Sequence, residues 1–128
     1  MSPIEINFVV PGNPVPKQRA RAGKHGFYTP TKTRQFEQLV GRTALAARVA
    51  AMMAGVQWPL DKTARYRVEC TFYYKDRRGY DSDNTLKSIQ DGAERVLWLN
   101  DRQCTEGSYI TRISKEDPRS EIRAIVLA

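Results

Sequence analysis

Residues 77–101 read RRGYDSDNTLKSIQDGAERVLWLND. The stretch leaves one kind of element and enters another. Before it, Tyr66, Val68, Cys70, Phe72 and Tyr74 alternate with Arg65, Arg67, Glu69, Thr71 and Tyr73, the period of two that marks a strand with one core-facing side. Within it, Leu86, Ile89, Ala93, Val96 and Leu97 recur at three- and four-residue steps. That spacing predicts a helix to about residue 98, with Asp83 or Asn84 as its N-cap. WLND then turns the chain.

Working outward toward the N-terminus, Ile4, Ile6, Phe8 and Val10 predict another strand, stopped by PGNPVP because proline cannot donate to a sheet ladder. A basic loop, KQRARAGKHGFYTP, follows. Thr29 reads as an N-cap with Pro30 at the first helical position. From Thr31 to Ala54, Phe36, Leu39, Val40, Thr43, Ala47, Ala50 and Met53 trace one face of a long helix, with Gly55 as terminator. Its second half, ALAARVAAMMAG, is apolar nearly all round, which calls for deep burial or a second packing surface such as a subunit interface. Toward the C-terminus, Tyr109, Thr111 and Ile113 predict a strand, KEDPRS a turn, and Ile122, Ala124 and Val126 a last strand closing a hairpin. The order β-α-β-α-β-β defines an α+β fold. We expect a two-layer sandwich, with a mixed, partly antiparallel sheet and both helices on one face, as one domain over residues 1–128.

Lys and Arg number 21 against 14 Asp and Glu, a formal charge of +7. Such an excess fits a polyanionic partner or a merely soluble basic protein, and its distribution separates the two. No Asp or Glu occurs between Glu5 and Glu37. That gap holds Lys17, Arg19, Arg21, Lys24, Lys32 and Arg34, with His25, Phe27 and Tyr28 interleaved. Basic residues neutralise phosphates and aromatics stack on bases, so the loop is a nucleic-acid-binding candidate; the competing reading is a solvated loop. Arg77 and Arg78, beside the acidic cluster, and Arg65 and Arg67 on the outward strand face would widen the patch. Cys70 and Cys104 form no CxxC or CxxH arrangement, against zinc, and Cys70 falls on the core face of its strand. MSPIEINFVV has no basic leader, and the longest apolar run, Val49–Val56, is far below the ~20 residues of a membrane span. The expectation is a reduced, cytoplasmic protein with no membrane association.

Why does so basic a chain gather acids at 81–101? Asp81 and Asp83, two apart, point to one side of an extended chain. A polar turn capping a helix explains them locally, with Lys87 and Asp91 as an ordinary surface pair. Two adjacent carboxylates also repel unless a cation intervenes, and Mg²⁺ prefers such hard oxygen ligands. Lys87, one turn into the helix, would meet a phosphate or developing oxyanion beside them. A tight turn at WLND would return Asp101 on a neighbouring strand, though the spacing does not fix where it arrives. Rival motifs fail. An EF-hand would need Gly and Glu where Leu86 and Gly92 stand, no P-loop or GxSxG is present, and one histidine cannot make H-E-x-x-H.

DSDNTLKSIQDGAERVLWLND closely resembles the signature of the RusA family of Holliday junction resolvases: Asp-x-Asp-Asn, Lys three residues on, Asp four further, then an apolar-Asn/Asp-Asp turn. VPGNPVPKQRAR followed by YTP resembles the N-terminal segment of its phage-type members. The resemblance implies that Asp81, Asp83 and Asp101 are catalytic carboxylates binding Mg²⁺, that Lys87 is the catalytic lysine, and that Asn84 supports the metal loop. It implies for Asp91 a supporting role through Lys87 or through contacts around the metal ligands. It further implies a homodimer that cuts four-way DNA junctions symmetrically. The apolar half of the first helix is the candidate interface. RRGYDSD is less arginine-dense than the best-known member, so no cut-site preference carries over. Two alternatives remain: a nucleic-acid-binding protein of this fold that does not cut, and a magnesium nuclease for other branched DNA or RNA.

Overall fold

The structure is a computed structural model and describes residues 3–28 and 30–128, without the side chains of Arg21 and Tyr28. Its elements follow as β1 (Glu5–Pro11), β2 (Arg21–Gly23), β3 (Gly26–Tyr28), α1 (Thr31–Met53), β4 (Tyr66–Tyr74), α2 (Ser82–Gly92), β5 (Cys104–Ile113) and β6 (Arg119–Val126). Four strands form a mixed sheet in the order β1-β6-β4-β5, and β2 and β3 form a separate antiparallel hairpin. Both helices pack on one face of the sheet, α1 over β1 and α2 over β5. The fold is α+β.

Alternation decides which face is which. Ile6, Phe8 and Val10 of β1, Tyr66, Val68, Cys70, Phe72 and Tyr74 of β4, and Ile122 and Ala124 of β6 are buried. They meet Phe36, Val40 and Ala44 of α1 and Ile89 of α2 in one core cluster. Burial of each large apolar side chain favours the fold by about 1.5–3 kcal/mol. The odd-numbered residues of β1, β4 and β6 point to the other, uncovered face.

The final two strands do not pair with each other. β6 runs antiparallel between β1 and β4, and β5 runs parallel to β4 on its far side. KEDPRS reverses the chain, but the choice of neighbour is tertiary. β6, apolar at Ile122, Ala124 and Ile125, takes a central position, and the more polar β5 takes the edge.

Three further expectations are corrected. α2 ends at Gly92, not near residue 98. At that point the helices meet backbone to backbone: a Cβ on Gly92 would stand 2.8 Å from both Glu37 O and Val40 Cβ, and one on Gly41 2.9 Å from Gly92 O. The chain then tightens into turns, Arg95 taking φ 69°. Trp98 folds back so that its Nε1 donates to Gln90 O at 2.8 Å. Val96 and Leu97 keep their packing without helical geometry. Second, the N-cap of α2 is Asp81, whose carboxylate accepts from Asn84 N. Third, the basic loop is partly ordered as the β2–β3 hairpin, turning at Lys24 and His25 with Gly26 at φ 109°. At the start of α1, Pro30 is the cap residue and Thr31 opens the helix. Thr29 lies outside the described residues.

Candidate active site

Asp81 leaves β4 by a short loop and enters α2. Its Oδ1 accepts from Asn84 N at 3.3 Å and its Oδ2 from Asn84 Nδ2 at 2.6 Å. The Asn84 side chain therefore orients Asp81 directly, while the Asp81 carboxylate meets one of the orphan backbone donors at the helix start. Asp83, in the first turn, is exposed and lies where the helix dipole favours negative charge. Lys87 follows Asp83 at i+4 and so shares its face of α2. It is exposed and has no ion-pair partner among the described residues.

Beneath this helix start lies a polar cluster absent from the sequence reading. Tyr74 Oη, at the buried end of β4, bonds Thr85 Oγ1 at 2.8 Å and Ser82 Oγ at 3.2 Å. Ser82 Oγ also bonds Thr111 Oγ1 of β5. Burial raises the pKa of the Tyr74 phenol despite those hydroxyl bonds, so it stays neutral through the physiological range. These bonds pin the start of α2 over the C-terminal end of β5. The sequence signal is a Ser and a Thr at helix positions 82 and 85, where a surface reading is the default.

Asp101 lies elsewhere. It opens a 3-10 turn (Asp101–Gln103) capped by Asn100. Gln103 holds that turn: its Oε1 accepts from Leu99 N (2.9 Å) and Asn100 N (3.0 Å), and its Nε2 donates to Asp61 O (2.7 Å) and Ala64 O (2.9 Å). Asp61 and Ala64 precede β4, so the turn belongs to the N-terminal end of the parallel pair. Asp101 N donates to Glu94 Oε1 at 3.2 Å, and burial together with the charges of Asp101 and Glu94 pushes the Cys104 thiol up to about 12. From Cys104 to Thr111 is seven residues, about 23 Å of strand at ~3.3 Å per residue. The chain thus brings Asp81 and Asp83 together and holds Asp101 at the opposite end of α2. Among the described residues, no three His, Cys, Asp or Glu stand close enough to hold a metal ion. One chain by itself does not fit the three-carboxylate metal site.

The basic residues divide into two groups. Lys17, expected in the nucleic-acid set, is ion-paired within the chain: its Nζ bonds Glu37 of α1 at 2.8 Å and Asp91 of α2 at 3.2 Å. Asp91 therefore answers Lys17, not Lys87. Lys17 N also donates to Asn84 O at 2.9 Å, which ties the root of the hairpin to the acidic helix start. Beyond that root, Arg19, Lys24, Lys32 and Arg34 are exposed, and Phe27 is 80% exposed. Arg21 and Tyr28 belong to the hairpin backbone, and their side chains lie outside the described residues. Arg77 and Arg78 project from the loop before Asp81, Arg78 within 3.3 Å of Asp76. Lys75 N donates to Asn13 Oδ1 at 2.9 Å, so that loop and the hairpin root are joined. Arg67, in contrast, is engaged by Glu69 and Glu106 on the uncovered sheet face.

An exposed carboxylate pair, a lysine with no ion-pair partner among the described residues, a basic loop and a basic hairpin bearing an exposed Phe27 are groups that can act on a nucleic-acid backbone. Residues 11–124 match the family model Endodeoxyribonuclease RusA, and the chain belongs to that family. It is accordingly a DNA endonuclease of a family that resolves Holliday junctions and in general depends on a divalent metal. No curated protein matches the chain. No helix among the described residues is long and apolar enough to cross a membrane.

Proposed function

We propose that this chain, as a single catalytic domain, is a magnesium-dependent structure-specific endodeoxyribonuclease that resolves four-way junctions by paired phosphodiester hydrolysis in recombination and repair. The observation that carries the reading is the juxtaposition at the start of α2: exposed Asp81 and Asp83, with Lys87 one turn on and the basic hairpin rooted at Asn84.

In this reading Arg19, Arg21, Lys24, Lys32, Arg34, Arg77 and Arg78 hold phosphates, and Phe27 and Tyr28 stack on exposed bases. Lys87 neutralises charge that develops on the phosphate under attack. Mg²⁺ would supply an activated water and a counter-charge for the scissile phosphate. One chain offers that ion Asp81 and Asp83, with Asn84 keeping Asp81 in place. A homodimer matches the near two-fold symmetry of a junction, one site for each cut. A cytoplasmic location follows from the DNA substrate.

The test offers synthetic four-way junctions, flaps and linear duplex to the purified chain, with Mg²⁺ or chelator. Paired, chelator-sensitive cuts in the junction are expected. Binding without any nicking would favour a non-cleaving DNA-binding protein, and preference for the flap would name another branched substrate. Lys87→Ala should slow cutting far more than it weakens binding; equal losses would demote Lys87 to a phosphate contact.

A further inference from the structure

The outer face of α1 carries groups that the candidate active site does not use. Arg34, Gln38, Arg42, Leu45, Val49 and Met52 recur at three- and four-residue steps, so they share one side of the helix. Between this side and the chain from Asp91 to Val96 runs a groove. Its first part, about 480 Å³, lies over the Gly41–Gly92 contact and is lined by Arg42 and Leu45 from α1 and by Val96. Its second part, about 330 Å³, is lined by Arg48, Met52 and Trp58. Arg48 Nη1 reaches Val96 O at 3.4 Å where the two parts meet.

The groove is apolar along its middle and cationic along its length. Leu45, Val49 and Met52 are 49%, 46% and 54% exposed. Arg34, Arg42 and Arg48 have no ion-pair partner among the described residues. The buried Nε of Arg48 has no hydrogen-bond partner among them either. The two carboxylates that line the groove, Glu37 and Asp91, are both engaged by Lys17. An arginine drawn half out of water with donors unfilled favours a carboxylate, which its planar fork meets with two bonds.

We propose that this groove is the docking site of an acidic amphipathic helix belonging to a partner protein. Apolar side chains of that helix cover Leu45, Val49 and Met52, and its flanking carboxylates answer Arg34, Arg42 and Arg48. From Arg34 to Met52 the face runs about 27 Å at ~1.5 Å per residue, room for a helix of roughly five turns. Charge decides against the other occupants. A second copy, the occupant expected from the sequence, would set these arginines among their own copies across a two-fold axis, with Glu37 and Asp91 already engaged. A DNA backbone would satisfy the arginines but leave the aliphatic stripe against hydrated phosphates. The groove meets α2 at the end far from Asp81 and Asp83, so the docking stands whatever substrate the site cuts.

The test pans a phage-displayed library of random segments, roughly 18 residues each to match the face, against the purified chain. Enriched sequences should set glutamate or aspartate beside leucine, phenylalanine or methionine at helical spacing, and synthetic peptides of those sequences should bind in fluorescence anisotropy. Arg42→Glu with Arg48→Glu should weaken them by about tenfold or more, since like charges then face each other. Peptides with lysine in place of the acids should recover binding to that variant. Leu45→Asp, at an exposed position, should also weaken the acidic peptides while melting temperature and sedimentation mass stay as in wild type. No acidic enrichment, or peptides indifferent to both variants, overturns the proposal. Displacement of the peptides by four-way junction DNA would make the groove a nucleic-acid path, and a sedimentation mass lowered by Leu45→Asp would make it a contact between copies; either result overturns it.

Discussion

Lys17 Nζ stands 3.2 Å from Asp91 Oδ2 and 2.8 Å from Glu37 Oε2. One ammonium thereby joins α1, α2 and the segment leading into the hairpin. A residue expected to touch DNA is held by two carboxylates of its own chain.

Lys17→Met should lower stability by about 1–2 kcal/mol at neutral pH, the range of a charge-assisted bond reduced for partial exposure to solvent. Burial draws the ammonium toward neutrality, but Glu37 and Asp91 outweigh it and leave the pKa above the ordinary 10.5. The folded value is the higher one. The contribution is therefore complete below about 10.4 and is lost as pH rises through the folded value. Urea denaturation at pH 7 and above pH 11 should show the gap between wild type and variant closing. Junction affinity should change little.

Asp81→Ala and Asp81→Asn separate scaffold from chemistry. Alanine removes the cap and should cost about 1 kcal/mol; asparagine still accepts from the helix start and should cost a few tenths. Both should abolish cutting. Asn retaining full activity in a junction assay would remove Asp81 from the reaction.

Gly92→Ala forces a methyl against Glu37 O and Val40 Cβ at 2.8 Å. Overpacking of that kind costs about 1–3 kcal/mol. A melting temperature lower by roughly 3–10 °C is expected from calorimetry. No loss would mean that the helices separate freely at their crossing.

At the hairpin, Phe27→Ala should weaken junction binding by about 1–3 kcal/mol, the scale of one base stacked on an aromatic ring. Arg19→Ala should reduce the slope of log affinity against log salt by about 1. Fluorescence anisotropy across a salt series reads both, and an unchanged Phe27→Ala would leave the hairpin a purely electrostatic arm.

Strand and helix identities were legible where a local pattern suffices. The alternation through Tyr66–Tyr74 and the repeat from Phe36 to Met53 name their own elements. Pairing was not legible, since nothing in Ile122–Val126 says that it lies beside β4. The end of α2 was misread for a related reason: Val96 and Leu97 keep helical spacing, while the chain leaves helical geometry after Gly92 and takes a positive φ at Arg95. At the candidate site, the gathering of Asp81, Asp83 and Lys87 at one helix start was legible from spacing, and their catalytic roles rest on the family resemblance alone. The hydroxyls of Ser82, Thr85 and Thr111 under Tyr74 were not legible, because their partners come from three elements. Lys17 read as one more basic residue until its carboxylates were in place.

The uncovered sheet face has a consequence for how DNA is approached. There Arg123 clamps Glu5 and Glu69, Arg119 answers Glu121 and Asp117 while stacking over Tyr73, and Arg67 meets Glu69 and Glu106. With Arg65 and Arg112, which alternation places on the same face, five guanidinium groups balance five carboxylates, so that side adds nothing to the chain's +7. The excess positive charge is concentrated on the hairpin, the loop before Asp81 and the helix surfaces. A molecule polarised in this way experiences a torque in the field of a polyanion. The expected approach to a duplex is hairpin first, with the uncovered sheet face turned away.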